Sequence, residues 1–162
     1  MSKLQDVILI NIPVRPAIKK YLDNNYLLKH NGSLTTVDPV GIYLMEILQR
    51  PPRHYKIAKL KTGYEDFPVK IVVDGQYHLV GKTYISPNNA FKLDRFVNKL
   101  IKHEFYTYME ARLTPSSNAI EHAIGDFIKR HDFVQEEMNP ESLIKLFSRH
   151  RKRLKTLKNS AA

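Results

Sequence analysis

The sequence predicts an α+β protein, and three observations carry that prediction. Two short runs rich in β-branched residues, Val7–Ile12 and Phe67–Val73, lie in the first half of the chain. The second runs into Asp74-Gly75 and a further apolar stretch, Gln76–Val80, which is the pattern of a tight β-hairpin. Beyond residue 86 the apolar spacing changes to threes and fours. There Ser86-Pro87 and Asn139-Pro140 each set a capping side chain before a proline at the first helical position. The expected organisation is a small N-terminal lobe over 1–85 with a short strand, two short helices and a β-hairpin. A three-helix half over 86–158, loosely helix-turn-helix-like, follows it, with 159–162 as a disordered tail.

Taken in order, Val7–Ile12 reads as a buried strand ended by Pro13. Pro16 opens a short helix through Tyr21 and Leu22, which stops at the turn-prone Asp23-Asn24-Asn25. His30-Asn31-Gly32-Ser33 reads as a loop. Asp38-Pro39 is a further cap-plus-first-turn signal, for a helix that places Val40, Tyr43, Leu44, Ile47 and Leu48 on one face and ends before Pro51-Pro52. Those prolines make Arg50–Lys61 an extended connector or an edge segment rather than a helix. The hairpin follows, free to pair with the first strand in a small sheet.

Ser86-Pro87 starts the longest helix, about 87 to 112, ended by Leu113-Thr114-Pro115. Its apolar residues Phe91, Phe96, Val97, Leu100, Ile101, Phe105, Tyr108 and Met109 cover a broad arc, so it should be central. Ser116 or Ser117 caps the next helix, whose Ile120, Ala123, Ile124, Phe127, Ile128 and His131 form one apolar stripe. Asp132–Met138 is an acidic connector. Asn139 caps the last helix, in which Leu143, Phe147, His150, Leu154 and Leu157 form an inward stripe.

The chain's 162 residues suffice for one domain or two small lobes. An apolar content of 43% and a charged content of 26% are those of a folded protein and exclude global disorder. The net charge of +10 points to phosphate backbones, anionic membrane surfaces or acidic proteins as partners. No apolar run approaches the ~20 residues of a membrane span. The first residues lack the basic segment and apolar core of a signal peptide, so none is expected. Without cysteine there is no disulfide framework, thiolate zinc site or cysteine nucleophile, and a reducing, cytoplasmic setting is expected.

The charge is densest at the end of the chain. From Pro140 onward there are seven Lys and Arg against one acidic residue. Lys145, Arg149 and Lys152 fall on a stripe away from the apolar one, joined past the middle by Arg151, Arg153, Lys155 and Lys158. A helix with one greasy seam and one cationic face suits a polyanion, and in a trihelical unit the last helix is the one that enters the major groove. Arg149, with its planar fork, is the candidate for reading guanine edges, while the lysines hold phosphates. A second basic stretch contains Arg50, Arg53, Lys56, Lys59 and Lys61 with Tyr55 among them. It could follow a neighbouring backbone or, through Tyr55, stack on an unpaired base. The bland alternative for both stretches is a solvated basic surface.

Catalytic signatures are missing. There is no Walker loop, G-x-G-x-x-G, H-E-x-x-H or G-x-S-x-G. His103-Glu104 and Glu121-His122 are sequence neighbours that point apart on a helix, and Asp126 should pair with Arg130 or Lys129. His131 and His150, on apolar stripes, read as partly buried structural residues. A non-enzymatic protein without cofactor or metal is expected.

The layout Ala119-Ile120…Ala123-Ile124…Phe127, a short acidic link, then Glu141-Ser142-Leu143…Phe147…Arg149-His150-Arg151 resembles the C-terminal part of small basic proteins carried by bacterial phages and integrative elements. The resemblance spans residues 86–155 and implies DNA binding in a bacterial or phage cytoplasm, and it brings no catalytic residue. The functional expectation is a DNA-binding accessory or regulatory protein with double-stranded DNA as first partner and no membrane association. An RNA or single-strand binder, and a protein-interaction or homodimerisation module using the same helix, are the alternatives.

Overall fold

A computed structural model describes residues 6–28, 31–53, 62–73, 81–112 and 118–160. The α+β class is observed. In chain order the elements are β1 (Asp6–Val14), α1 (Pro16–Leu22), β2 (Ser33–Thr35), α2 (Pro39–Ile47), β3 (Glu65–Val73), α3 (Pro87–Arg112), α4 (Asn118–Arg130) and α5 (Pro140–Ser160). The chain gathers into two compact units, 1–98 and 99–162, so the division falls inside α3 rather than ahead of it at 85/86. The physical reason is that the first turns of α3 supply core residues to the first unit.

Among the described residues of that first unit, β3 is the central strand of a three-stranded sheet of order β1-β3-β2. β1 pairs with it antiparallel, with Ile10 opposite Val69 and Ile12 opposite Phe67. β2 pairs with it in parallel, from Ser33 opposite Lys70 to Thr35 opposite Val72. The expected pairing of the first strand with Phe67–Val73 is thus present. The second hairpin strand, Gln76–Val80, and its Asp74-Gly75 turn lie outside the described residues, as do Leu113-Thr114-Pro115 and the Ser116/Ser117 cap.

Several local expectations change. Among the described strands β1 lies at an edge, and it is buried on one face alone: Ile10, Ile12 and Val14 are buried, while Val7 and Leu9 on the alternate face are exposed. Pro13 does not end β1. It pairs opposite Asp66 inside the strand, where no second described strand needs its missing N–H. Pro68 is tolerated in the central strand for a related reason, since β2 reaches only Lys70 to Val72. The first helix does not stop at Asp23 but widens into a π-helical turn over Asp23–Leu27. There Asn25 Nδ2 donates to the Tyr21 carbonyl at 3.1 Å. Ser33 belongs to β2, after a turn in which Asn31 and Gly32 take positive φ of 51° and 77°.

Asp38 sits at the N-cap of α2, but its carboxylate does not cap it. The Thr35 amide and hydroxyl donate to Asp38 Oδ2 at 2.9 and 2.7 Å, fastening β2 to α2. Gly41 packs against that same Thr35 backbone. Tyr43 stacks on Phe96 with ring centroids 4.3 Å apart, and Asn89 Nδ2 donates to the Ile47 carbonyl at 2.8 Å, so α2 and the start of α3 hold one another. Arg15 donates twice to the buried Asp94, at 2.7 and 2.8 Å, and Asn98 Nδ2 adds a third bond to the same carboxylate at 3.1 Å. That bond from Asp94 raises the pKa of Arg15 despite its partial burial. On α3 the core stripe is Ala90, Leu93, Val97, Ile101, Phe105 and Met109, narrower than the expected arc, and Phe91 is exposed beneath the Arg95 guanidinium.

The second unit comprises the rest of α3 with α4 and α5. Its centre is aromatic: Phe105 meets Phe127 and Phe147 edge to face, with centroids 5.2 and 6.2 Å apart. Each buried Phe contributes about 1.5–3 kcal/mol. Ala123, Ile124, Phe127 and His131 of the expected α4 stripe are buried, as are Leu143 and Phe147 of α5.

The α4–α5 connector has no glycine, yet it is closed by a Schellman motif. The Phe133 amide donates to the Ile128 carbonyl at 3.0 Å and the Asp132 amide to the Lys129 carbonyl at 3.2 Å. Asp132, at φ 55°, takes the left-handed position that glycine usually fills. Phe133 is carried back into the core, with its ring 6.4 Å from Phe127.

Candidate nucleic-acid interface

α5 starts as its sequence demands. Asn139 Oδ1 accepts from the amides of Glu141 at 2.8 Å and Ser142 at 3.3 Å, satisfying two donors that the first turn leaves free. Leu143 and Phe147 then bury against the unit's core. His150 makes the last anchoring contact. Its ring lies parallel to Tyr106 at 4.0 Å, and its Nε2–H donates to Glu110 Oε1 at 2.7 Å.

Past His150 the apolar stripe continues in the sequence but is not buried: Leu154 is 37% and Leu157 64% exposed. The described part of α3 reaches Arg112, two residues past Glu110, and α5 continues to Ser160. Of the expected disordered tail, Asn159 and Ser160 belong to α5. The Ser160 hydroxyl donates to the Thr156 carbonyl at 2.9 Å. Residues 161–162 lie outside the described residues.

Lys145, Arg149, Arg151, Lys152, Arg153 and Lys155 are all exposed, and among the described residues none of them is held in an ion pair or hydrogen bond. Other cations are engaged: Arg15 with Asp94, Lys19 with Glu65, and Arg112 with Asp126 at 2.5 Å. Asp126 therefore meets Arg112 from α3 rather than Arg130 or Lys129, and Arg130 lies over the Tyr108 ring instead. Cations near a helix C-terminus also sit at the negative end of its dipole, which supports an ordered basic end.

Of the second basic stretch, Arg50 and Arg53 are exposed in the first unit, next to the bridge between Gln49 and Tyr84. Lys56, Lys59, Lys61 and Tyr55 lie outside the described residues.

Histidine–carboxylate pairs do form, across helices rather than between sequence neighbours. The buried His131 brings Nε2 to 3.3 Å from Glu104 Oε1, and His150 meets Glu110. Both pairs fasten α4 and α5 to α3. Among the described residues no three His, Asp or Glu side chains gather where a metal ion could be held. No helix among them is long and apolar enough to cross a membrane. Sequence reasoning passed over Thr156 and Asn159, which continue the strip of Lys145, Arg149 and Lys152 at spacings of four and three. The helical spacing reaches both, but Thr156 carries no charge and Asn159 was expected in a disordered tail. No protein-family profile, curated protein or solved structure matches the chain.

Proposed function

We propose that this protein binds nucleic acid, double-stranded DNA in the first place, through the solvent face of α5. In this reading it is a non-enzymatic accessory or regulatory protein of a phage or mobile element, working in the cytoplasm. α5 serves as the recognition helix of a loose helix-turn-helix unit built from α3 to α5. The observation that carries the reading is six exposed Lys and Arg side chains on one ordered helix, none of them neutralised by a described carboxylate. Phosphates are the ligand that such an array attracts, by counterion release. The resemblance of residues 86–155 to basic phage and integrative-element proteins supports DNA over RNA and the phage or mobile-element setting.

The test is a mobility-shift titration of duplex DNA at low and near-physiological salt, repeated with single-stranded RNA as competitor. Binding that weakens steeply with salt and resists the competitor is expected. Salt-insensitive binding, or none at low salt, refutes the reading, and displacement by RNA at lower concentration moves the function to RNA.

A second reading is favoured by the exposure of Leu154 and Leu157. α5 would then be a protein-interaction or homodimerisation element. Light scattering separates the two: a dimer that dissociates on Leu154→Glu supports self-association.

A further inference from the structure

The free end of α5 differs from the anchored part in a way that bears on how DNA would be held. Up to His150 the helix lies against α3 and α4, so only its outer strip could touch a ligand. From Arg151 to Leu157, and again at Asn159 and Ser160, every side chain is exposed. This is a helical end of about 15 Å, at 1.5 Å per residue, exposed around its axis, though Leu154 only to 37%.

Its side chains are arranged in a definite order around the axis. Lys152, Thr156 and Asn159 follow at spacings of four and three and share one face. Arg151 and Arg153, about 200° apart around the axis, flank that face on opposite sides. Leu154 and Leu157 lie on the reverse, in line with the stripe that anchors the earlier turns.

We infer that this free end enters the major groove of B-form DNA, with Arg151 and Arg153 on the phosphates of the two groove walls and Lys152, Thr156 and Asn159 toward the base edges. The inference rests on the DNA-binding reading above and specifies how that site is occupied. The major groove is about 12 Å wide and a helix with its side chains about 10–12 Å across, so an exposed helical end fits it. Cations on both flanks suit a slot with a phosphate wall on each side, and a flat anionic surface would engage only one of them. Asn159 carries the amide that pairs with adenine N6 and N7, and Lys152 the ammonium that meets guanine O6 and N7. The major groove of A-form RNA is deep and too narrow for a helix, so duplex RNA is not an equivalent ligand.

The experiment uses the full chain and a fluorescent 20-base-pair DNA duplex. Binding is read by anisotropy for the plain duplex, for the duplex with glucosylated 5-hydroxymethylcytosine filling the major groove, for the plain duplex saturated with netropsin in the minor groove, and for an RNA duplex of the same sequence. The expected result is at least a tenfold loss on glucosylation and on the RNA duplex, little change with netropsin, and protection of guanine N7 from dimethyl sulfate. Salt-sensitive binding of the plain duplex that is unchanged by glucosylation, with guanine N7 unprotected, overturns the groove assignment and leaves the DNA-binding reading standing. A loss on netropsin alone also overturns it, in favour of the minor groove. Absence of salt-sensitive binding to the plain duplex removes the DNA-binding reading and this inference with it.

Discussion

Replacing Lys145, Arg149 and Lys152 together by Ala should halve the electrostatic part of DNA binding without unfolding the protein. The structure leaves six described cations of α5 exposed and unpaired. If each neutralises one phosphate, the log–log dependence of affinity on salt has a slope of about −5.4, at about −0.9 per contact. Removing three leaves about −2.7. Raising salt from about 50 to 200 mM should then weaken wild type by about 10³-fold and the triple variant by only about 40-fold. All three side chains are exposed on a helix held by Leu143, Phe147 and His150, so the cost in stability is expected within about 0.5 kcal/mol per site. Anisotropy titrations at four salt concentrations give the two slopes, and a thermal melt of each protein gives the control. Equal slopes would show that these cations touch no phosphate. A collapsed melt would show that they support the fold.

Phe147→Ala should lower unfolding stability by about 3–5 kcal/mol in urea, because it opens a cavity beside Phe105 at the centre of the second unit; a loss under 1 kcal/mol would contradict the packing described. Gly41→Ala should destabilise by at least about 1 kcal/mol, although Ala is the better helix former, because a Cβ there runs into the Thr35 carbonyl. A gain in melting temperature would refute that close approach. Burial raises the pKa of Asp23, Glu65 adds to the effect and Lys19 opposes it. A carboxyl raised in the folded state contributes its stability below the ordinary Asp value and loses it as pH rises through the raised one. Asp23→Asn should therefore raise the melting temperature at pH 7 and change it little at pH 3, and a larger gain at pH 3 than at pH 7 would reverse the sign of the argument.

Much of the helical half from residue 86 onward was legible from residues alone. Ser86-Pro87 and Asn139-Pro140 start α3 and α5 where expected, because a cap and the amides it serves lie within three residues of each other. The α4 stripe and the outward placement of the α5 cations follow from helical spacing in the same way. Less of the first unit could be read. β2 is three residues long and parallel to a strand more than thirty residues later, with no periodicity of its own. The left-handed Asp132 that closes the α4–α5 connector gave no glycine to notice.

Local chemistry along the chain thus determined the α+β class, the helix starts and the concentration of charge on the last helix. Only the tertiary structure decided which carboxylates are engaged and where support ends. Asp94 is held by Arg15, 79 residues away, and Asp126 by Arg112 on another helix. Leu154 and Leu157 continue the apolar stripe of α5 and yet stand exposed. A repeat of threes and fours specifies a face of a helix, but burial and ion pairing depend on what the rest of the chain brings opposite that face.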